Sequence, residues 1–364
     1  MNRRTFLRAL GGVTVSSLLA GCQSSPGPRL QIYAMRQVLP PQLLRRFQQE
    51  TEPVNVDLAL ETSPARLFGL LQRWQQDGLA PDHPRLVSLG DYWLTQAIRE
   101  GLIDPLVSPQ TEAAWPLGDP WQQLVRRNDR GLPDSQGPLW AAPYRWGATV
   151  LVYRRDKLQD LNLTLRDWRD LWHPQLQGRI SLLNQPREVI GMVLKTLGYS
   201  YNHVDLGAVQ NLETQLRLLD QQVRFYSSNH YLQPLLLGDT WVAMGWSTDG
   251  LAALDRDANL AVVFPESGTA VWADCWVQAR QSPATDWVTD WVNFWWQPEI
   301  GKALSSFTFA LSVIPQEIRD PAGPTQELLA AQARGLAQSD PLYPLPPATL
   351  AQYGQLWQQM RSAA

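Results

Sequence analysis

The sequence contains few of the residues that hold metal ions or form disulfides. Among 364 residues there are 2 cysteines and 4 histidines. A zinc or iron–sulfur centre needs several of these side chains grouped together, so we expect neither a metal site nor a cofactor of that kind. With so few cysteines, the fold must be held by its hydrophobic core rather than by disulfide bonds.

The sequence also lacks a surplus of positive charge. Lysine and arginine total 31 against 34 aspartates and glutamates, which gives a net charge of −3. Proteins that bind a phosphate backbone need basic residues in excess, so the balance argues against a nucleic-acid partner. Neither a G-x-x-x-x-G-K-[ST] loop nor a G-x-G-x-x-G turn is present. Nucleotide chemistry therefore lacks its usual phosphate cradle.

Two short patterns resemble catalytic or metal sites but are incomplete. Residues 245–250 read G-W-S-T-D-G, in which the second glycine stands one place too late for a nucleophile elbow. The histidines lie in contexts without a supporting motif. Tyr199 and Tyr201 form the one close tyrosine pair, but they follow Gly198, which favours a turn over a ferric site. We therefore expect no enzyme, with a secreted hydrolase as a distant alternative.

The first 21 residues have the features of an export signal. A basic start, M-N-R-R-T-F-L-R, precedes an apolar run over 9–20 and the ending L-A-G-C at Cys22. The run is too short and too rich in glycine for a stable bilayer anchor, which needs about 20 apolar residues. The ending resembles the lipobox of bacterial lipoproteins, and the paired arginines resemble the twin-arginine export signal.

This resemblance implies that residues 1–21 are removed and that Cys22 carries a lipid. Residues 22–29 would then form a flexible tether to the membrane. The removed segment holds three arginines and no acid, so the mature charge is 28 − 34 = −6. Cys275 is left without an intrachain partner and is expected to be a small buried apolar residue. We expect a monomer, lipid-anchored at the periplasmic face of the bacterial membrane or at the cell surface, with twin-arginine export as one candidate route.

Length and composition predict two globular domains. The chain is 44% apolar and 18% charged, which excludes disorder of the whole chain. With 364 residues it is also too long for one small core. Strand-like runs alternate with helical patterns, and the alternation restarts after Trp146. It predicts α/β layers around a largely parallel sheet, with ligands in the loops that follow strands. Among the expected elements are a strand over 148–153, one amphipathic helix over 206–219 and a tryptophan-rich helix over 286–296 packed on a sheet.

Several short motifs occur in an order typical of one family of bacterial binding proteins. They are P-Y-R-W-G-A-T at 143–149, W-R-D-L-W at 168–172, G-R-I at 178–180, P-R-E-V-I-G at 186–191, L-G-Y-S at 197–200, G-W-S-T-D at 245–249, F-P-E-S-G at 264–268 and W-A-D at 272–274. Each motif alone is weak. Together, over residues 31–314, they resemble the spermidine/putrescine-binding proteins of ABC importers.

The resemblance implies a two-lobed periplasmic-binding-protein fold, type II-like, in which two α/β lobes close about a hinge on ligand. Lobe 1 would comprise residues 30–147 and 275–320, and lobe 2 residues 148–274 and 321–364. The chain would then cross between the lobes near 146–149 and again near 268–274. The implied partners are a small-molecule amine and the permease subunits of an ABC importer.

The resemblance also implies a set of ligand-binding residues. A linear polyamine needs separated carboxylates for its ammonium groups and aromatic walls for its methylenes. Asp274 lies inside an apolar strand, where an unpaired charge is costly, and Trp272 projects to the same face. For Glu188 and Asp249 the alternative is that each is a solvated loop carboxylate, and for Trp246 and Trp272 it is packing at the hinge. Carried over position by position, the implied residues are the acids Glu188, Asp249 and Asp274, the aromatics Tyr92, Trp246 and Trp272, and Ser227.

Three positions depart from the family pattern. Where the family often has N-W-x-x-Y after the first strand, residues 34–38 read A-M-R-Q-V and introduce Arg36. Gln185 stands where an acid is frequent, and Gly90 where serine is frequent. Arg36 could face solvent, pair with a ligand carboxylate or neutralise a pocket acid. The predicted solute is therefore a polyamine or related amine, with an amino-acid-like or other zwitterionic solute as the alternative.

Overall fold

The computed structural model describes residues 29–51, 54–78, 82–106, 116–283, 285–315 and 323–362. The predicted signal segment and Cys22 lie outside these residues. Arg29, the last residue of the predicted tether over 22–29, is the first residue of strand β1, and the tether itself stays a prediction.

The strands of the described residues are mostly short, apart from two long ones that lie side by side. They are β1 Arg29–Met35, β2 Asn55–Glu61, β3 Arg85–Gly90, β4 Ile103–Asp104, β5 Ala142–Arg154, β6 Ile180–Leu182, β7 Val223–Tyr226, β8 Val242–Trp246, β9 Leu260–Val263, β10 Ala270–Ala279, β11 Leu311–Ser312 and β12 Asp340–Pro341.

Many of the helices begin with proline, whose fixed φ suits the first helical turn and whose missing N–H is not needed there. The α-helices are α1 Pro41–Glu50, α2 Pro64–Gln76, α3 Leu94–Arg99, α4 Trp121–Val125, α5 Arg155–Asp160, α6 Pro186–Thr196, α7 Leu212–Asp220, α8 Leu232–Leu237, α9 Ser247–Leu254, α10 Asp286–Trp295, α11 Pro298–Thr308, α12 Pro324–Gly335 and α13 Pro347–Ser362. Short 3-10 helices cover Asp91–Trp93, Trp168–Trp172, Pro174–Leu176, Leu206–Ala208 and Leu336–Gln338.

The strands follow the order β2-β1-β3-β10-β5-β8-β6-β7. At one end β1 pairs in parallel with β2 and β3, and at the other β6 pairs in parallel with β7 and β8. In the centre, β10 is antiparallel to both β3 and β5, and β5 is antiparallel to β8 and β9. The prediction of a largely parallel sheet is therefore wrong at the centre. There β5 and β10 carry the chain in opposite directions between two groups of strands, so they meet antiparallel.

The long strand β5 belongs to both groups of strands, of which the first contains β1, β2, β3 and β10 and the second β6, β7, β8 and β9. Residues 142–148 pair with β10 and β11, and residues 149–154 pair with β8 and β9. The predicted strand over 148–153 begins too late, because residues 142–147 are already extended and buried. The expected two-lobed α/β fold is thus present, with β5 common to both lobes. The lobe boundaries at 147/148 and 274/275 stay a prediction.

An aromatic cluster fills the core beneath the first group of strands. Trp291 of α10 packs edge-on against Phe47 at 4.9 Å between ring centroids, and Tyr144 stacks on Trp276 at 4.6 Å. The predicted packing of the tryptophan-rich helix on a sheet is confirmed. Cys275 is fully buried beside this cluster, as expected for a small apolar residue.

The second group of strands is covered by helices from the middle and the end of the chain. Helix α12 packs against α9, and α13 packs against α6 and α7. The single helix expected over 206–219 is wrong, because a 3-10 turn over Leu206–Ala208 is followed by α7 only from Leu212. Asn211 between them has a φ of 64°, a left-handed conformation that asparagine tolerates and that no α-helix contains.

Candidate functional site

Strand β10 presents two side chains on one face. Trp272 and Asp274 are partly exposed, whereas Val271, Ala273 and Cys275 beside them are buried. Successive side chains of a strand point to opposite faces, so this alternation agrees with the predicted placement of the tryptophan and the acid.

Asp274 is paired with Arg145 of the neighbouring strand β5. Arg145 Nε and Nη2 both donate to Asp274 Oδ2, at 2.8 and 2.6 Å. Arg145 is only 9% exposed, so the pair is largely withdrawn from water. Asp274 lies opposite Arg145 in the same register that pairs Val271 with Ala148, and the pairing shifts only at Cys275, which lies opposite Pro143. Asp274 therefore already carries an internal counter-ion.

Trp272 packs on β5 at the next position along this face. It lies opposite Gly147, and a Cβ at residue 147 would overlap the indole ring. The guanidinium carbon of Arg145 lies 5.9 Å from the centre of the same ring, within the range of a cation–π contact. The glycine thus allows the aromatic ring to lie directly on the strand beside the charged pair.

Glu188 is held against β5 at the start of α6. Thr149 Oγ1 donates to Glu188 Oε2 at 2.9 Å, and both residues are buried. Burial raises the pKa of Glu188 to about 7, while the Thr149 hydrogen bond and the charge of Arg187 act in the opposite direction. Glu188 is therefore a buried carboxyl that changes charge near neutral pH rather than a solvated loop carboxylate.

Asp249 lies in the first turn of α9, directly after β8. The Tyr231 hydroxyl donates to Asp249 Oδ2 at 2.5 Å and accepts the Trp246 N–H at 3.1 Å. Desolvation raises the pKa of Asp249, whereas the Tyr231 hydrogen bond and the charge of Arg145 lower it. Asp249 is exposed, and Trp246, which lies opposite Thr149, is partly exposed. Tyr231 thus ties the acid to the end of β8.

The end of β3 adds an aromatic ring and a buried acid. Gly90 lies opposite Asp274, and the ring of Tyr92, which is 58% exposed, lies where a Cβ of residue 90 would be. Asp91 is buried and accepts the Ala273 N–H at 3.2 Å; burial raises its pKa to about 7. Glycine in place of serine at residue 90 therefore leaves room for the tyrosine ring.

These contacts gather most of the predicted ligand-binding residues around the middle of β5. Exposure increases outward, from the buried Arg145, Thr149 and Glu188 to the exposed Tyr92 and Asp249. A ligand would meet an exposed rim and a buried, charged floor. We call this group the β5 site, and its members are Tyr92, Arg145, Thr149, Glu188, Trp246, Asp249, Trp272 and Asp274.

Two other predicted residues are not joined to the β5 site by any contact between described residues. Ser227 Oγ accepts the N–H groups of Asn229 and His230 at 3.4 and 3.0 Å, a turn at the end of β7. Arg36 is exposed after β1, and its backbone N–H donates to the Glu61 carbonyl at 3.1 Å. Ligand binding by Ser227 and Arg36 stays a prediction.

The residue-based reasoning missed four members or neighbours of the site. Arg145 and Thr149 stand in the P-Y-R-W-G-A-T motif at alternate positions around Gly147, so the period of a strand could have placed them on one face. Asp91 directly follows β3, a buried strand with the apolar run L-V-S-L at 86–89, and ligand-binding residues are common after such strands. Tyr231 contacts Asp249, which is 18 residues away in the sequence, and no local sequence pattern predicts that contact.

The residues behind the two weaker alternatives have structural contacts. Ser247 is buried, and its hydroxyl accepts the Ala148 N–H at 3.1 Å, which ties β5 to α9. Tyr201 is buried with its ring over Gly191, and Tyr199 packs on His203 at 4.8 Å between ring centres. Over the described ranges, no group of three or more histidine, cysteine, aspartate or glutamate residues could hold a metal ion. None of the helices in this part of the chain has the length and hydrophobicity that a membrane span requires.

Comparison with known proteins decides the family. The model of the bacterial extracellular solute-binding protein family matches residues 83–336, more than half of the chain. The chain belongs to this family. The resemblance expected from the motifs is thereby confirmed at the level of the family, which consists of solute-binding proteins rather than enzymes.

Curated relatives and solved structures agree with this membership. The spermidine/putrescine-binding periplasmic protein of Salmonella typhimurium is 26% identical over 79% of this chain and 78% of its own. The protein of the same name from Escherichia coli is 26% identical over 76% of this chain and 75% of its own. The structure of the spermidine/putrescine ABC transporter substrate-binding protein PotD from Streptococcus pneumoniae aligns with a TM-score of 0.77 at 20% identity, covering 92% of this chain and 99% of that one. The periplasmic-binding-protein fold of this solute-binding protein is confirmed.

Proposed function

We propose that this solute-binding protein captures a polyamine or a related amine at the β5 site for an ABC importer. One observation carries the proposal: Asp249 and Asp274 lie around the same stretch of β5 as Trp246 and Trp272. Carboxylates bind ammonium groups, and a cation over a tryptophan face gains about 0.5–2 kcal/mol. The curated relatives named for spermidine and putrescine support the same ligand class.

Glu188 adds a carboxyl whose charge responds to the ligand. Because its pKa is about 7, a bound ammonium group can stabilise the ionised form at neutral pH. The hydrogen bond from Thr149 fixes the carboxyl against the floor of the site. Glu188 would therefore strengthen amine binding as the pH rises through neutrality.

Closure of two lobes would complete the site. Tyr92 follows β3 in lobe 1 (30–147 and 275–320), whereas Glu188 and Asp249 follow β6 and β8 in lobe 2 (148–274 and 321–364), which supports binding between the two lobes. Closure would exclude water and strengthen each charge interaction. The closed form would then deliver the amine to the permease subunits.

The protein would work as a lipid-anchored monomer outside the cytoplasm. The family and its periplasmic relatives support that location. The L-A-G-C ending supports cleavage before Cys22 and lipidation of its thiol, and the paired arginines support twin-arginine export.

Ligand titration of the purified mature protein tests the binding function. We expect spermidine, putrescine or a related monoamine to raise the free energy of unfolding by RT ln(1 + [L]/Kd), and the melting temperature with it. Asp249→Asn should weaken calorimetric binding of that amine by at least about tenfold, since a charge-assisted contact is lost. Asp239→Asn, an exposed acid after α8, is the matched control and should bind like wild type.

Two results would contradict the proposal. The first is that neither spermidine nor putrescine nor a related monoamine raises the melting temperature. The second is that Asp249→Asn binds the active amine as tightly as wild type.

A further inference from the structure

The β5 site contains a buried cation, Arg145, beside the acid Asp274. Arg145 is 9% exposed and directs two donors at one oxygen of Asp274, at 2.8 and 2.6 Å. Both bonds go to Oδ2, and the guanidinium carries further N–H donors beyond these two. The floor of the site therefore presents an arginine with unused hydrogen-bonding capacity.

A second ammonium group is disfavoured at Asp274. A ligand cation that reaches this carboxylate must also come close to the guanidinium, and repulsion between like charges follows the same distance law as attraction. The two effects nearly cancel when the cation is equally far from both groups. Asp274 therefore attracts an ammonium group less than an unpaired carboxylate would. Asp274 weakens the attraction of Arg145 for a carboxylate in the same way, so a ligand carboxylate has to bind the N–H donors of Arg145 that Asp274 does not use.

Besides Glu188, which is buried, Asp249 is the carboxylate that remains for an ammonium group. It is exposed and receives one hydrogen bond, from the Tyr231 hydroxyl, and it lies close enough to Arg145 for that charge to act on it. One carboxylate at the rim and one guanidinium in the floor thus lie within a single site. This pairing of charges fits a ligand with one positive and one negative end.

We propose that the β5 site takes an amine that also carries a carboxylate, with the ammonium group on Asp249 and the carboxylate on Arg145. This inference rests on the proposed amine-binding function and narrows its ligand class. A planar guanidinium binds a carboxylate through two parallel hydrogen bonds, which gives direction as well as charge. Arg145, not the exposed Arg36, is the residue that selects for the negative end.

Length-matched ligand pairs test this inference. Each pair has an amino acid and a diamine: 3-aminopropanoate with 1,3-diaminopropane, 4-aminobutyrate with putrescine, and 5-aminopentanoate with cadaverine. For the chain length that binds best, the mature wild-type protein should bind the amino acid at least about tenfold more tightly than the diamine. Calorimetric titration gives both dissociation constants.

Variants of Arg145 separate charge from packing. Arg145→Gln removes the cation and releases Asp274, so the amino acid should lose at least about tenfold in affinity while the diamine gains. Arg145→Lys keeps the charge without the two-pronged geometry and should keep the preference for the amino acid at reduced affinity. Arg154→Gln, at the far end of the same strand and paired with Asp156, is the matched control and should keep the wild-type ratio.

The outcomes distinguish this inference from the proposed function. If wild type binds a diamine as tightly as its matched amino acid, or if Arg145→Gln leaves their ratio unchanged, the ligand class is wrong and amine binding stands. If none of the six compounds nor spermidine binds, both proposals fail. Should Arg145→Gln not fold, the wild-type ratio and Arg145→Lys decide alone.

Discussion

The indole ring of Trp272 lies directly against the backbone of Gly147 on the neighbouring strand. The two residues are paired across β10 and β5, and a Cβ at residue 147 would overlap the ring. The aromatic wall of the β5 site therefore depends on a residue with no side chain, at the place where β5 changes its pairing from one group of strands to the other.

Gly147→Ala should displace the Trp272 ring. Overpacking of a close contact costs about 1–3 kcal/mol, so the free energy of unfolding should fall by that amount and the affinity for the ligand should drop. Urea unfolding and calorimetric titration measure the two effects. Gly354→Ala, in α13 with no atom within 4 Å of the added Cβ, is the control and should be neutral or slightly stabilising. Unchanged ligand affinity in Gly147→Ala would show that the ring position is unimportant for binding.

The stability of the protein should decrease as the pH rises from about 4.5 to 7. The pKa of Glu188 is about 7 in the folded chain against an ordinary 4.5, so the native state keeps a proton that the unfolded state releases in this range. Below this window Glu188 is protonated in both states and does not destabilise the fold. Above it the destabilisation is complete and amounts to about 3 kcal/mol, since each unit of pKa difference corresponds to about 1.4 kcal/mol. Asp91, whose pKa is also about 7, adds a similar dependence.

The variant Glu188→Gln shows how much of the pH dependence of the unfolding free energy comes from Glu188. The variant should lose part of the decrease in unfolding free energy between these pH values, because glutamine accepts the Thr149 hydrogen bond without titrating. Urea unfolding at several pH values gives the slope. Glu213→Gln, an exposed acid on α7, should retain the wild-type slope. An identical slope in Glu188→Gln would assign the effect elsewhere.

The Arg145–Asp274 pair should show strong coupling in a double-mutant cycle. Arg145→Met or Asp274→Leu alone leaves one charge largely buried without its partner, which typically costs about 3–5 kcal/mol. The double variant should lose much less than the sum of the two. The same cycle on Arg154 and Asp156, whose carboxylate side chain is 40% exposed, should couple by no more than about 1 kcal/mol. Additive losses at Arg145 and Asp274 would mean that the pair contributes no mutual stabilisation.

Cys22→Ser should release the protein from the membrane. With the thiol gone, no lipid can be attached, and the basic start followed by a short apolar run is not a stable anchor by itself. Cell fractionation with detection of the mature chain measures the change. Cys275→Ser, which keeps Cys22, should stay in the membrane fraction. Retention of a signal-cleaved Cys22→Ser protein in the membrane would contradict the lipid anchor.

Much of the site could be predicted from local patterns. The alternation of apolar residues around Trp272 and Asp274 predicted that both lie on one face, whereas Glu188 was a candidate only through the resemblance to the spermidine/putrescine-binding proteins. The partner of Asp274 could not be predicted in this way. Arg145 meets it because β5 and β10, two strands that lie far apart in the sequence, pair in this register.

The alternation of strands and helices, the buried aromatic helix α10 and the family all follow from short runs or ordered motifs of amino acids. Which charges meet depends instead on how distant segments pack in the folded chain. The contacts of Arg145 with Asp274, of Thr149 with Glu188 and of Tyr231 with Asp249 join residues that lie 129, 39 and 18 positions apart in the sequence. Periodicity fixes the face on which a side chain lies, but the neighbour it meets there is fixed by packing between distant segments.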